Sequence, residues 1–328
     1  MGEIKVSVLC TAYNHENYIR DALESFVSQK TDFAFEVLVN DDCSSDSTAA
    51  IIREYAEMYP DIIRPFLQEE NLYSQGGMPH LFATVFYPNA RGEYFALCEG
   101  DDYWSDPEKL QRQVDFLDAH PDYTACVHNT MLHYCDDTQP DAPLIKEDLG
   151  DRDVDFYTVI KGASNAYHTS SILARREYLI DPPDFHYTAA AHGFTDYAIG
   201  LWLTLNGKVR FIDRLMSVYR INSNPAAWSA KLGAHYAKLK EFIVGELEMM
   251  KVLMSHLDAQ QIEATRAVML EREYELLYIE GKVDELVKPP YDKIYRSKPL
   301  KYRLIITLKR LFPALHRAYR KRRGYEDF

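Results

Sequence analysis

Short apolar runs that end in polar clusters, each followed by an amphipathic helical pattern, constrain this chain more than any other feature. Residues 4–11, IKVSVLCT, form a β-rich run of the kind buried on both faces of a parallel sheet. Residues 35–40, FEVLVN, and 93–98, EYFALC, repeat it, with a further strand at 62–67. Between them, 14–29 reads as a helix with Ile19, Leu23, Phe26 and Val27 on one stripe, and 45–59 as a second with Ile51, Ile52 and Tyr55 inward. Helices are expected at 78–88, 107–119 and 195–206, a strand near 123–130, and a strand pair across 208–221. Strands alternating with helices imply βαβ crossovers, hence an α/β fold with a mainly parallel, Rossmann-like sheet flanked by helices. From about residue 229 the pattern changes to long helices, 229–256 and 258–281. Pro289-Pro290 then marks a linker before a tail that Pro313 divides into two short helices. The expected organisation is an α/β domain over 1–228, a helical extension over 229–287 and a basic amphipathic tail over 288–328.

The length of 328 residues suits about two domains. With 47% hydrophobic and 27% charged residues, the composition excludes a largely disordered chain and a disulfide scaffold. No window reaches the ~18 apolar residues of a membrane-spanning helix. Met-Gly-Glu-Ile-Lys-Val leads straight into the first strand, so no signal peptide is expected. Five cysteines without a CxxC pair suggest buried thiols in a reducing cytosol. Charge is unevenly spread: 288–328 holds 13 Lys and Arg against 3 acidic residues, while the other 287 residues hold 24 basic and 47 acidic groups. So acidic a body disfavours nucleic acid as a partner, and the basic tail calls for an anionic one.

Ligands of open α/β sheets bind beyond the carboxyl ends of the strands. Three polar clusters fall there: Thr11-Ala12-Tyr13-Asn14, Asp41-Asp42-Cys43-Ser44-Ser45 and Glu99-Gly100-Asp101-Asp102. Ser44 or Ser45 serves to cap the following helix, but adjacent carboxylates exceed what one helix start requires. Three carboxylates within four residues repel one another unless a cation compensates. Their hard oxygens suit Mg²⁺ or Mn²⁺, commonly held by one or two carboxylates plus substrate phosphates. Neither GxxxxGK[ST] nor GxGxxG occurs, which removes the main support for P-loop and dinucleotide-binding readings.

The segments VSVLCTAYNHENYIRDALESFVSQ, FEVLVNDDCSSDST and GEYFALCEGDDYWSDPEKLQRQVDFL together resemble the family-2 glycosyltransferases. TDYAIGLWLTLNGKVRFIDRLMSVYRINSN continues the likeness, which covers about residues 4–224. The resemblance implies a GT-A fold and metal-dependent, inverting transfer of a sugar from a nucleoside diphosphate to an acceptor hydroxyl. By position, Thr11, Tyr13 and Asn14 would line the nucleotide pocket, and Asp42, with Asp41 beside it, would bind the base. Glu99-Gly100-Asp101-Asp102 matches the DxD-type motif: Asp101 and Asp102 would meet metal and diphosphate, and Glu99 the ribose side. Asp196 matches the second acid of the family's [ED]D pair and would be the general base, with Thr195 replacing the first acid. Tyr219-Arg220 matches a YR element that places Arg220 near the diphosphate, and Asn222 stands where histidine often follows.

Trp104 could stack on an acceptor sugar or fill the core, and His168, His186 and His192 could line an acceptor pocket. The stretch 181–194 reads as an acceptor loop. On a helical wheel the tail sets Leu304, Leu308, Leu311 and Leu315 on one face, with Ile305 and Phe312 at its edge. Lys309, Arg310, Arg317, Arg320 and Lys321 fall opposite. That pattern suits docking on an anionic membrane, with packing on the body or in a homo-oligomer as the rival. The expected function is transfer from a UDP-sugar, with dTDP second, to a surface glycan or lipid-linked saccharide. It would take place in the cytoplasm, peripherally on the inner membrane face. A sugar nucleotidyltransferase and a non-catalytic nucleotide-sugar-binding scaffold are the alternatives.

Overall fold

The computed structural model describes residues 3–147, 149–162, 166–223 and 236–312, and divides into two compact units, 1–234 and 235–328. The first unit opens with β1 (Ile4–Ala12), α1 (Ile19–Val27), β2 (Ala34–Asp41), α2 (Thr48–Met58) and β3 (Ile63–Leu67). Val6, Val8 and Cys10 of β1 are wholly buried, as are Ser7 and nearly all of Leu9, as expected of a strand covered on both faces. Helix α1 buries Ile19, Ala22, Leu23 and Phe26, the stripe its sequence period sets, into one core with Val37, Val39, Ile52 and Tyr94.

Next come α3 (Tyr73–Leu81), a π-helical turn over Phe82–Phe86, α4 (Tyr87–Asn89), β4 (Tyr94–Leu97) and β5 (Tyr103–Trp104). Helix α3 is broken at Gly76-Gly77, where Gly77 takes the left-handed φ of 67° that a side chain would resist. The chain continues through α5 (Lys109–Ala119), β6 (Tyr123–Tyr134), β7 (Ala142–Pro143), β8 (Arg152–Val154), α6 (Phe156–Val159) and β9 (Leu173–Arg175). It closes with α7 (Asp184–Ala191), α8 (Thr195–Asn206) and β10 (Lys208–Ile221).

The main sheet runs β3-β2-β1-β4-β9-β6-β10-β5. The first four strands are parallel, β9 is antiparallel to both its neighbours, and β6 and β10 pair in parallel. The sheet is therefore α/β and mixed, with parallel order where the three polar clusters emerge. The chain leaves β1 for β2 and β3 on one side and returns for β4 on the other. A reversal of this kind is where open α/β sheets form a ligand crevice, here at the carboxyl ends of β1, β2 and β4.

Two expectations are corrected. Residues 208–221 form one long strand rather than a pair; register shifts between Ile212 and Ser217 bend it without breaking its pairing to β6. Much of 181–194 is helix, not loop: α7 starts after Pro183 and buries Phe185, His186, Ala189 and Ala190, the alanine run supplying helix propensity.

In the second unit α9 (Tyr236–Leu253) is followed by α10 (Ala259–Ile279), whose start is fixed by a capping box between Asp258 and Gln261. Short α11 (Asp292–Ser297) and α12 (Leu300–Leu311) come next. Tyr274, Val283, Leu286 and Ile306 form a small core ringed by Tyr278, Tyr291, Tyr295 and Tyr302, so α12 shares a core with α10. Pro313, Leu315, Arg317, Arg320 and Lys321 lie outside the described residues.

Candidate active site

The loop after β1 is tied to the loop after β2. The Asn14 amide N–H donates to the Ser44 hydroxyl (2.8 Å), and the Asn14 side-chain oxygen accepts from the Ser45 amide (2.8 Å). Asn14 and Cys43 both hold positive φ, 56° and 65°, a conformation that asparagine adopts readily and cysteine rarely. The Thr11 carbonyl accepts the Gly100 N–H at 2.8 Å, and Tyr13 stands in solvent. Asp41 and Asp42 are buried but differ in role. Asp42 accepts from the Leu72 and Tyr73 amides at 2.8 and 3.0 Å, which anchors the start of α3. Asp41 accepts from Ser44 N–H through Oδ2, while its buried Oδ1 has no hydrogen-bond partner.

Beyond β4 the chain turns at Gly100, where a Cβ would lie 2.8 Å from Ile19 Cδ1 and 3.1 Å from His15 Nδ1. The turn places three carboxylates within four residues at the carboxyl end of β4. Asp101 accepts from the Ser223 hydroxyl (2.8 Å) and lies 3.8 Å from His15 Nε2. Asp102 accepts from the Arg220 backbone N–H at 2.9 Å through Oδ1; its Oδ2 is buried with no hydrogen-bond partner, 3.7 Å from His168 Nδ1. Burial first, then the charges of Asp101 and Glu99, push the Asp102 carboxyl well above the carboxylate range. Burial, Asp101 and Asp196 together push Glu99 up to about 8.

Arg220 is less open to a ligand than its sequence position implies. Its guanidinium donates to the Asp101 carbonyl (3.0 Å) and to Asp21, between the rings of Tyr18 and Tyr103 at 5.1 and 4.6 Å. It thus braces the carboxylate loop from behind. Asn222 holds Asp136 at 2.8 Å from a left-handed conformation, φ 58°.

Asp196 lies in the first turn of α8, where backbone N–H groups favour its charge, while burial raises its pKa. The Thr169 hydroxyl stands 3.5 Å from Asp196 Oδ2, and the Tyr167 hydroxyl donates to the Asp196 carbonyl at 3.3 Å. His168 stacks on Tyr219 at 4.0 Å and is pulled down to about 4 by burial, so its ring is neutral near pH 7.

Of the two readings of Trp104, the structure has the one that fills the core. Trp104 is 3% exposed, edge-on to Phe26 at 4.8 Å, with Lys109 Nζ 4.1 Å over its ring and its indole N–H donating to the Ser170 carbonyl. His192 ends α7 against Phe194, and His186 is buried and held down to about 4 by desolvation. The structure therefore groups Glu99, Asp101, Asp102, His168, Asp196 and Arg220. It adds Ser223, His15, Tyr18 and Thr169, which the sequence reading did not single out. Of these, only His15, in the loop directly after β1, carried a signal by position.

The residues fit a divalent cation. A buried carboxylate oxygen without a partner, among further acidic groups, is an electrostatic deficit that a cation removes. Among the described residues no three His, Cys, Asp or Glu side chains converge as a complete metal cage. A site of one or two carboxylates completed by substrate phosphates does not need one.

The glycosyl transferase family 2 model matches residues 7–178, more than half of the chain and most of the sheet. The chain belongs to glycosyltransferase family 2. A relative from Mycobacterium tuberculosis, named as an uncharacterized protein, is 37% identical over 217 residues, 66% of this chain; the chain spans only 58% of that protein's length. Among solved structures the family fold recurs in Staphylococcus aureus TarS 1–349 in complex with UDP. That match has TM-score 0.53 and 18% identity, and covers 92% of this chain and 77% of the other. A mannosyltransferase from Pyrobaculum calidifontis, in complex with GDP-Man and Mn²⁺, matches with TM-score 0.55 and 17% identity over 98% and 83% of the two chains. These likenesses agree with the expected GT-A architecture.

Proposed function

We propose that this family-2 chain transfers a sugar from a nucleoside diphosphate to an acceptor hydroxyl with inversion. UDP is the first choice of nucleotide, and a surface glycan or lipid-linked saccharide the acceptor. The carrying observation is Asp102, with its partnerless buried oxygen 3.7 Å from His168, whose chain neighbour Thr169 has its hydroxyl 3.5 Å from Asp196. The neighbours with UDP and with GDP-Man and Mn²⁺ support a nucleotide-sugar donor.

Asp102, with Asp101 beside it, would hold Mn²⁺ or Mg²⁺, which when bound supplies positive charge to a departing diphosphate. Thr11, Tyr13, Asn14, Asp41 and Asp42 form the nucleotide side of the crevice; the buried Oδ1 of Asp41 is free to accept a base N–H. Arg220 keeps the Glu99–Asp102 loop in place through Asp101 and Asp102. Asp196 removes the proton from the acceptor hydroxyl as it attacks the sugar carbon; the raised pKa improves the carboxylate as a base near neutral pH. Neutral His168, 3.7 Å from Asp102, would offer a hydrogen bond to the acceptor. A lipid-linked acceptor would be met at the inner face of a membrane.

The test is to titrate UDP with and without Mn²⁺ and then assay transfer or donor hydrolysis. Metal-dependent UDP binding that Asp102→Asn abolishes, with an unchanged melting temperature, supports the assignment. Equal binding by the variant removes Asp102 as a ligand.

A further inference from the structure

Helix α12 presents two unlike sides, and their orientation is the reverse of what an ordinary amphipathic surface helix does. Its inward side carries Ile306, which is fully buried, and two basic residues. Lys309 Nζ donates to the Tyr278 hydroxyl at 3.0 Å and stands 4.2 Å over that ring, while Arg310 Nε donates to Asp284 at 2.9 Å. Ile306, tyrosine and charge thus share the inward packing. Leu300, Leu304, Leu308 and Leu311, at i, i+4, i+8 and i+11, share the outward side at 55–67% exposure. Ile305 and Phe312 flank them, also exposed.

Single exposed apolar side chains are normal, but a contiguous set is not. Six of the thirteen large exposed hydrophobics among the described residues fall on this one helix and its C-cap. A stripe of leucines left in water, on a helix whose other side is already packed into a core, calls for a covering surface.

Charge selects the occupant. The segment 288–328 carries 13 basic residues against 3 acidic, and Lys293, Arg296 and Lys301 are exposed on or just before α12. In a two-fold symmetric pair this segment would face its own copy, positive against positive. An anionic bilayer offers an apolar interior for the leucines and a negative surface for the lysines and arginines. We propose that the outward leucine face of α12 docks into the interface of an anionic lipid bilayer, with the surrounding basic residues at headgroup level. This goes beyond the transfer reading and does not depend on it.

The experiment is co-sedimentation of the full chain with phosphatidylglycerol–phosphatidylcholine vesicles and with pure phosphatidylcholine vesicles, at low and high salt. The parent is expected to bind the anionic vesicles, to leave the neutral ones free and to be released by salt. Leu304→Asp/Leu308→Asp should lower the partition at least about tenfold, because the substitutions replace inserted apolar surface by charge. Melting temperature and UDP binding should not change, since both side chains lie in solvent. Leu304→Phe/Leu308→Phe should keep the partition. Absence of parent binding to anionic vesicles, or equal binding by the aspartate variant, overturns the proposal. So does a parent that runs as a dimer and is made monomeric by the aspartates, which would give the face to a second copy.

Discussion

At the scale of single residues, Glu99 and Asp102 show how burial turns an acidic cluster into a poised one. A carboxyl taken out of water beside like charges holds its proton to a higher pH, and Glu99 does so up to about 8 against an ordinary value of 4.5. The unfolded chain releases that proton first, so it binds fewer protons than the native chain between those values, and stability falls with rising pH there. Glu99→Gln removes the ionisation and keeps the shape. Without divalent cations, its melting temperature should match the parent's near pH 4.5, exceed it increasingly up to about pH 8, and stay parallel above. Thermal melts across that range check this, and a gap that stays constant with pH would show that Glu99 ionises at its ordinary value in the native chain. For Asp196→Asn, UDP binding should survive while transfer falls by ~10²–10⁴, the span of a lost general base. A radiolabelled-donor assay measures it, and an unchanged rate would move the base to another residue. The acids were legible in the sequence because three of them follow an apolar strand. The choice between the two readings of Trp104 stayed open because burial against Phe26 and Lys109 leaves no local trace. Ser223 stayed hidden because its partner Asp101 lies 122 residues away in the chain.

At the scale of elements, α8 matters because its first turn carries Asp196, and its seat depends on a missing side chain. A Cβ on Gly200 would lie 1.4 Å from the Tyr167 hydroxyl oxygen and 2.6 Å from the ring carbon bearing it. That same hydroxyl donates to the Asp196 carbonyl, so the contact that Gly200 permits also fixes the turn holding the base. Gly200→Ala should therefore destabilise the fold by about 1–3 kcal/mol through overpacking. It should also lower the transfer rate while leaving the affinity for UDP intact. Adding Tyr167→Phe removes the nearest clashing atom and should recover part of the stability. Calorimetry on the two single variants and the double variant checks this; strictly additive effects would show that the two sites do not communicate. The sequence marked α8 at its observed bounds, Thr195–Asn206, where an apolar run ends at Gly207. It failed at α7 and β10. Two prolines and two histidines masked the helix propensity of 189–191. In β10 a register shift bends the strand in a way that hydrophobic alternation does not encode.

At the scale of the whole chain, the two units have separate cores. The first is built on Val6, Val8, Phe26, Val37, Ala96 and their neighbours out to Leu173; the second on Tyr274, Val283, Leu286 and Ile306. Every side chain placed in the crevice, including late-arriving Ser223, falls before residue 234, as does the whole family match over 7–178. The outward leucines and most of the positive excess fall after it. The proposed nucleotide site and the proposed membrane face thus fall in different units, each with its own core. A chain ending at Ala234 should accordingly fold with the parent's strand content. It should bind UDP with Mn²⁺ within about twofold of the parent's affinity, the tolerance expected when distant groups act independently. It should also lose the parent's association with anionic vesicles, because the leucine face and the basic segment go together. Circular dichroism, calorimetric titration and vesicle sedimentation on that one fragment read all three. A fragment that aggregates, or that binds UDP more than about tenfold more weakly, would show that residues after 234 support the crevice. Retained vesicle binding would instead place the attachment surface on the α/β unit and remove α12 from it.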